Sequence, residues 1–172
     1  MTEIVFTYVP LDFKRPRTFF SALVRGLKGR KSPSSHVALL TDKLYIKETD
    51  EWVDTNTLYI YESEINGVVG LPYLDWCEGR KGNWVDCYTV PEDHIDWSRM
   101  ILAYGKPYDF WDAVSHFFRN DKAFEKKKYK KFTCSKFIGL LMNSVDWHKA
   151  LPVHIQRLCE GCEYPLDKRI ID

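Results

Sequence analysis

Cys134 stands near the head of the segment Phe132-Thr133-Cys134-Ser135-Lys136-Phe137-Ile138-Gly139-Leu140-Leu141. Phe137, Ile138, Leu141 and Met142 recur at helical spacing, which predicts a helix beginning at the cysteine. Cys134 shares a face with Ile138 and Leu141, so its sulfur should point toward the body of the protein. The dipole and unpaired N–H groups at a helix N-terminus favour thiolate over thiol. The same N–H groups could hold an oxyanion. Cys134 therefore has the setting of a nucleophile that needs a base. The plain alternative is a buried cysteine serving as a small apolar residue.

A thiolate nucleophile works with a base in hydrogen-bond reach, and the base with an orienting partner. His36 opens the apolar run Val37-Ala38-Leu39-Leu40, so core packing would fix its position. It is the best-placed of five histidines. His94, His148 and His154 lie in polar or turn-like surroundings, and His116 lies in the aromatic stretch Ser115-His116-Phe117-Phe118. A strand-edge histidine bonded to a loop is the competing reading of His36. Glu62 follows the apolar run Leu58-Tyr59-Ile60-Tyr61. From a neighbouring strand it could hold one ring nitrogen, fix the tautomer and stabilise imidazolium. Glu64 competes for that role.

The elements that must position these groups follow from patterning. Residues 3–9 are β-branched and aromatic and predict a strand, which Pro10 ends. Phe19, Phe20, Leu23, Val24 and Leu27 predict a helix, followed by a turn at Ser32-Pro33-Ser34-Ser35. Strands are predicted at residues 36–40, extending through 43–47 as a hairpin, and at 58–62, 67–70 and 84–90. A short helix is predicted within 71–79, and longer ones over 95–104, 110–118 and about 152–160. Mixed helices with antiparallel strands grouped together predict an α+β fold rather than regular βαβ winding.

The chain has 172 residues, 45% hydrophobic and 15% aromatic, which fits a single globular domain over 1–172. The net charge of +1 dictates neither a nucleic-acid nor a membrane partner. Met1-Thr2-Glu3-Ile4-Val5 has no basic n-region, and no apolar run is long enough to span a bilayer. Five cysteines leave at least one unpaired and do not form a dense disulfide pattern. A cytoplasmic setting is the default expectation, with a phage-encoded or virion-associated chain as the other.

Several short motifs occur in series. They are Thr2-Glu3-Ile4-Val5-Phe6, Ser35-His36-Val37-Ala38-Leu39, Tyr61-Glu62-Ser63 with Gly67-Val68, Gly105-Lys106-Pro107-Tyr108-Asp109-Phe110, and Cys134-Ser135-Lys136. In this order they resemble the circularly permuted branch of the NlpC-type papain-like cysteine hydrolases, in which the histidine precedes the cysteine. This is the YiiX-like group, related to lecithin:retinol acyltransferase-like proteins. The resemblance covers about residues 2–142. The chain departs from it with Thr2-Glu3 for Gly-Asp, Ala38 for glycine, and Lys136 for an acidic residue.

The resemblance implies a papain-like α+β fold, an antiparallel sheet packed against helices with the nucleophile at a helix N-terminus. It implies Cys134 as nucleophile, His36 as general base and Glu62 as orienter. It places Tyr108 near the cleft, where its hydroxyl could help hold an oxyanion or simply pack. The implied activity is a thiol hydrolase of amides or esters, working through a thioester and needing neither cofactor nor metal. Its substrates would be cell-wall peptides or lipid acyl groups, with acyl transfer as a variant.

Three rivals stand beside this reading. Cys159-Glu160-Gly161-Cys162 has the spacing of a zinc half-site, whose second half would need Cys77, Cys87 or His94. The basic stretches Lys14–Lys31 and Lys126–Lys131, beside the apolar face of Phe19, Phe20, Leu23 and Leu27, could touch anionic lipid as a peripheral contact. A direct nucleic-acid role is not expected. The third is a non-catalytic scaffold. Trp76, Trp84, Tyr108 and Trp111 could give a cleft apolar walls or belong to the core.

Overall fold

The computed structural model describes residues 1–8, 36–64, 66–109, 129–144 and 146–172. The predicted helices over 19–27 and 110–118 lie outside these residues, as do His116, Trp111, Lys14–Lys31 and Lys126–Lys128. The described residues form a six-stranded antiparallel sheet packed against a few helices, an α+β arrangement. The strands are β1 (Thr2–Tyr8), β2 (His36–Ile46), β3 (Glu51–Glu64), β4 (Gly67–Pro72), β5 (Trp84–Thr89) and β6 (Leu166–Ile170). Their order across the sheet is β4-β3-β2-β1-β5-β6. The helices are α1 (Tyr73–Glu78), α2 (Met100–Ala103), α3 (Cys134–Leu141) and α4 (Pro152–Gly161).

β1 is central because its side chains are buried on both faces. Successive residues of a strand point to opposite faces. Ile4 and Phe6, with Val37 and Leu39 of β2 and Tyr61 of β3, join a core that includes Phe137, Ile138, Leu141 and Ile155 of α3 and α4. Val5, Ala38, Leu40 and Ile60 join a second core with Trp76 of α1. Glu3 lies buried at the sheet, where both its oxygens meet Nη2 of Arg169, at 2.9 and 3.0 Å.

Three elements differ from the sequence expectation. Residues 43–47 do not turn back as a hairpin on 36–40: β2 continues through Ile46 and pairs with β3, which begins at Glu51 rather than at 58. Residues 95–104 form a short 3-10 turn, Trp97–Arg99, followed by the four-residue α2 rather than one helix. The backbone there bonds outward. Asp96 N donates to the Leu141 carbonyl at 2.7 Å, and the Trp97 carbonyl accepts from Trp52 Nε1 at 3.1 Å. Docking against α3 and β3 thus replaces part of the helical ladder. β6 was not anticipated. Its Leu166-Asp167-Lys168-Arg169-Ile170 carries the charges of an edge strand and no apolar run.

β4 is tied to the segment that leads to Tyr108. Val68 N donates to the Lys106 carbonyl and Gly105 N to the Val68 carbonyl, each at 2.9 Å. Gly67 sits at φ +102°, and a Cβ there would lie 2.5 Å from the Lys106 oxygen. Only glycine meets both demands. Gly67→Ala is expected to lower unfolding stability by about 2 kcal/mol, measured by urea denaturation. Wild-type stability in this variant would show that the close approach does not hold.

Candidate active site

Glu62 is the centre of the site. Its side chain is fully buried, and an isolated buried carboxylate would be costly. Three donors answer it. His36 Nε2 lies 2.7 Å from Glu62 Oε2. Trp76 Nε1 donates to the same oxygen at 2.9 Å. Arg80 Nη2 donates to Oε1 at 2.9 Å and also bonds Glu64 Oε1.

Local folding explains this convergence. His36 is the first residue of β2, and the alternation of faces sets it with Ala38 and Leu40. Glu62 and Glu64 fall on the face of Ile60 by the same alternation. Both carboxylates are therefore on the histidine's side of the sheet. α1 packs on that face through Trp76, and the turn after it delivers Arg80. Of the two glutamates, Glu62 bonds both His36 and Arg80, while Glu64 bonds Arg80.

The cysteine reaches the same point from the other face. α3 begins at Cys134, and Thr133 caps it, its Oγ1 accepting from Lys136 N at 3.3 Å. Ser63, the neighbour of Glu62 on the opposite face of β3, donates to the Phe132 carbonyl at 2.8 Å. Ser135 Oγ donates to the Ala150 carbonyl at 2.7 Å. These two bonds locate the start of α3 on either side of Cys134, whose sulfur acts electrostatically on the His36 ring. With Nε2 engaged by Glu62, Nδ1 is the ring nitrogen that the carboxylate does not hold.

The electrostatics follow from the contacts. Burial opposes the charged form of His36, but the charge and hydrogen bond of Cys134, then those of Glu62, push its pKa up to about 10. Burial likewise opposes ionised Glu62. The hydrogen bond and charge of His36, the Arg80 cation and the Trp76 N–H overcome it and hold the carboxyl down at about 2. Burial pushes the thiols of Cys87 and Cys159 up to about 12.

The structure thus brings together Cys134, His36 and Glu62. Tyr108 is half-buried, and its backbone forms a parallel bridge with Phe132, two residues before Cys134. Asp109 N donates to the Phe132 carbonyl at 3.0 Å. Lys136 is buried and has Nζ 3.8 Å from Asp109 Oδ2. An acid from the Tyr108 segment therefore stands near the start of α3.

The other candidates lie elsewhere. His94 bonds the Tyr164 hydroxyl at 2.6 Å, and His154 Nδ1 accepts from Leu151 N at 3.3 Å. Cys159 is buried and Cys162 exposed at the end of α4. Trp76 is a core residue with a polar task, whereas Trp84 is 58% exposed. Sequence reasoning missed Arg80 altogether, and noted Trp76 only for its ring. Among the described residues, His36, Glu62 and Glu64 have the donor spacing of a metal site. The Arg80 guanidinium already supplies the positive charge between those two carboxylates. None of the five cysteines is in a disulfide. No helix among the described residues is long and apolar enough to cross a membrane.

Compared with protein-family models, with curated proteins and with solved structures, the chain finds no match.

The pKa directions set a stability profile. The raised His36 contributes stability that is present below about pH 6.5 and lost as pH climbs through about 10. The depressed Glu62 contributes stability that is present above about pH 4.5 and lost as pH falls toward about 2. The two share the His36–Glu62 contact, on the order of 2 kcal/mol, and are not added. Urea unfolding across pH should show an alkaline loss that His36→Gln removes and an acid loss that Glu62→Gln removes. Parallel profiles for wild type and variants would exclude this linkage.

Proposed function

We propose that this protein is a thiol hydrolase of the permuted NlpC-type, papain-like class, acting on amide or ester carbonyls through a Cys134–His36–Glu62 triad. The observation that carries the reading is a cysteine at the first turn of a helix, acting electrostatically on a histidine whose Nε2 is held 2.7 Å from a buried carboxylate. The chain order supports it, since the histidine strand precedes the cysteine helix.

In this mechanism His36 and Cys134 share a proton as a thiolate–imidazolium pair. The thiolate attacks the substrate carbonyl. Backbone N–H groups at the start of α3 stabilise the oxyanion, with the Tyr108 hydroxyl as a further donor. His36 then protonates the leaving amine or alcohol, and the C–N or C–O bond breaks to leave a thioester on Cys134. Water, activated by neutral His36, adds to the thioester and releases the acid. Another acceptor in place of water gives acyl transfer. Glu62 keeps the imidazole in one tautomer and balances its charge throughout. Cell-wall peptides and lipid acyl groups are the proposed substrate classes. No cofactor enters any step.

Incubation with peptidoglycan fragments, phospholipids and simple thioesters should leave an acyl adduct on Cys134, read by intact mass and peptide mapping. Cys134→Ala should remove the adduct with the fold retained, and His36→Ala should slow its formation at least about 100-fold. An adduct that forms equally well in either variant would overturn the assignment.

A further inference from the structure

The proposed triad does not use Arg80, yet Arg80 is among the most tightly placed side chains around it. Its Nη2 bonds both Glu62 Oε1 and Glu64 Oε1. Its guanidinium carbon lies 4.5 Å from the centre of the Trp76 ring, and Nη1 lies 3.4 Å from the Trp76 carbonyl. Trp76 in turn donates to the Glu62 oxygen that holds His36. Only a fifth of the Arg80 side chain is exposed. A solvated surface arginine would show none of this, since exposed pairs are weak and mobile.

The charges can be followed around the site. On the histidine's face stand His36, Glu62, Glu64 and Arg80, two cations and two anions when His36 is protonated. From α3 come Cys134 and, paired with Asp109, Lys136. Without Arg80, two carboxylates would stand behind the imidazole with no counter-charge of their own. They would over-stabilise imidazolium, which must later give its proton to the leaving group, and they would oppose formation of the thiolate.

We infer that Arg80 is a positioning residue of the proposed site: by bridging Glu62 and Glu64 it neutralises the carboxylate pair behind His36, and so sets the pH range in which the Cys134–His36 pair carries its charges. This inference rests on the triad reading of the previous subsection. It does not make Arg80 a catalytic residue, because Arg80 acts through Glu62.

The sign of the effect is fixed by electrostatics. Loss of a nearby positive charge makes every proton harder to remove, from thiol and imidazolium alike. Loss of a nearby negative charge does the reverse. At the separation implied by one intervening carboxylate, the shift should be about one pH unit. Shape alone predicts no such reversal.

The test is the rate of Cys134 alkylation by iodoacetamide against pH, read by peptide mass mapping so that other cysteines do not contribute. In Arg80→Met the rise of the alkylation profile should move up by about one pH unit. In Glu64→Gln it should move down. Arg80→Lys, which keeps the charge and loses the bridge, should stay near the wild-type position. The double variant Arg80→Met/Glu64→Gln should return toward it. If wild-type labelling depends on His36 but the profile is unmoved in Arg80→Met, or moves up in Glu64→Gln, the inference about Arg80 is wrong and the triad stands. If wild-type and His36→Ala profiles coincide, the triad itself is wrong. Should Arg80→Met fail to fold, the direction of the Glu64→Gln shift still decides.

Discussion

A carboxylate with no exposed surface must be answered by donors, and in this protein the answer organises everything around it. Glu62 draws in a histidine from the start of β2, an indole from α1 and a guanidinium from the turn beyond. Each comes from a different element. None could move far without leaving a buried anion under-bonded, at a cost of several kcal/mol. The strictness of that demand holds the imidazole still, and a steady imidazole is what a nearby thiol needs to be more than a buried sulfur.

The sheet supplies a second constraint of the same kind. Neighbouring residues on β3 face opposite ways. Glu62 fixes the histidine on one side, while Ser63 fixes the backbone just before Cys134 on the other. The proposed nucleophile and base therefore meet at the end of the sheet and not across its face. The segment carrying Tyr108 is drawn in by the same region, through Phe132, the Lys136–Asp109 pair and the contact of Lys106 with β4.

Much of this was legible from residue types. The helix opening at Cys134, the strand opening at His36 and the strand holding Glu62 all follow from apolar runs whose periods are unambiguous. The choice between Glu62 and Glu64 was not legible. Both share one face by parity, and Arg80, which bonds both, belongs to a turn with no pattern of its own. β6 was illegible because its charged composition suits an edge and its pairing is set by distant residues, β5 and Glu3. Residues 95–104 carry a helical pattern whose hydrogen bonds tertiary contacts divert. Local rules fail where a partner far along the chain decides.

The opposed duties of Glu62 and Ser63 tie the chemistry to strand alignment. A slip of β3 by a single position would turn every side chain over. The acid would then face the α3 side and the hydroxyl the α1 side, and both anchors would vanish in the same event. A misaligned molecule would thus lose the whole arrangement at once rather than part of it. Correct threading of the sheet becomes, in effect, a proofreading step for the thiol.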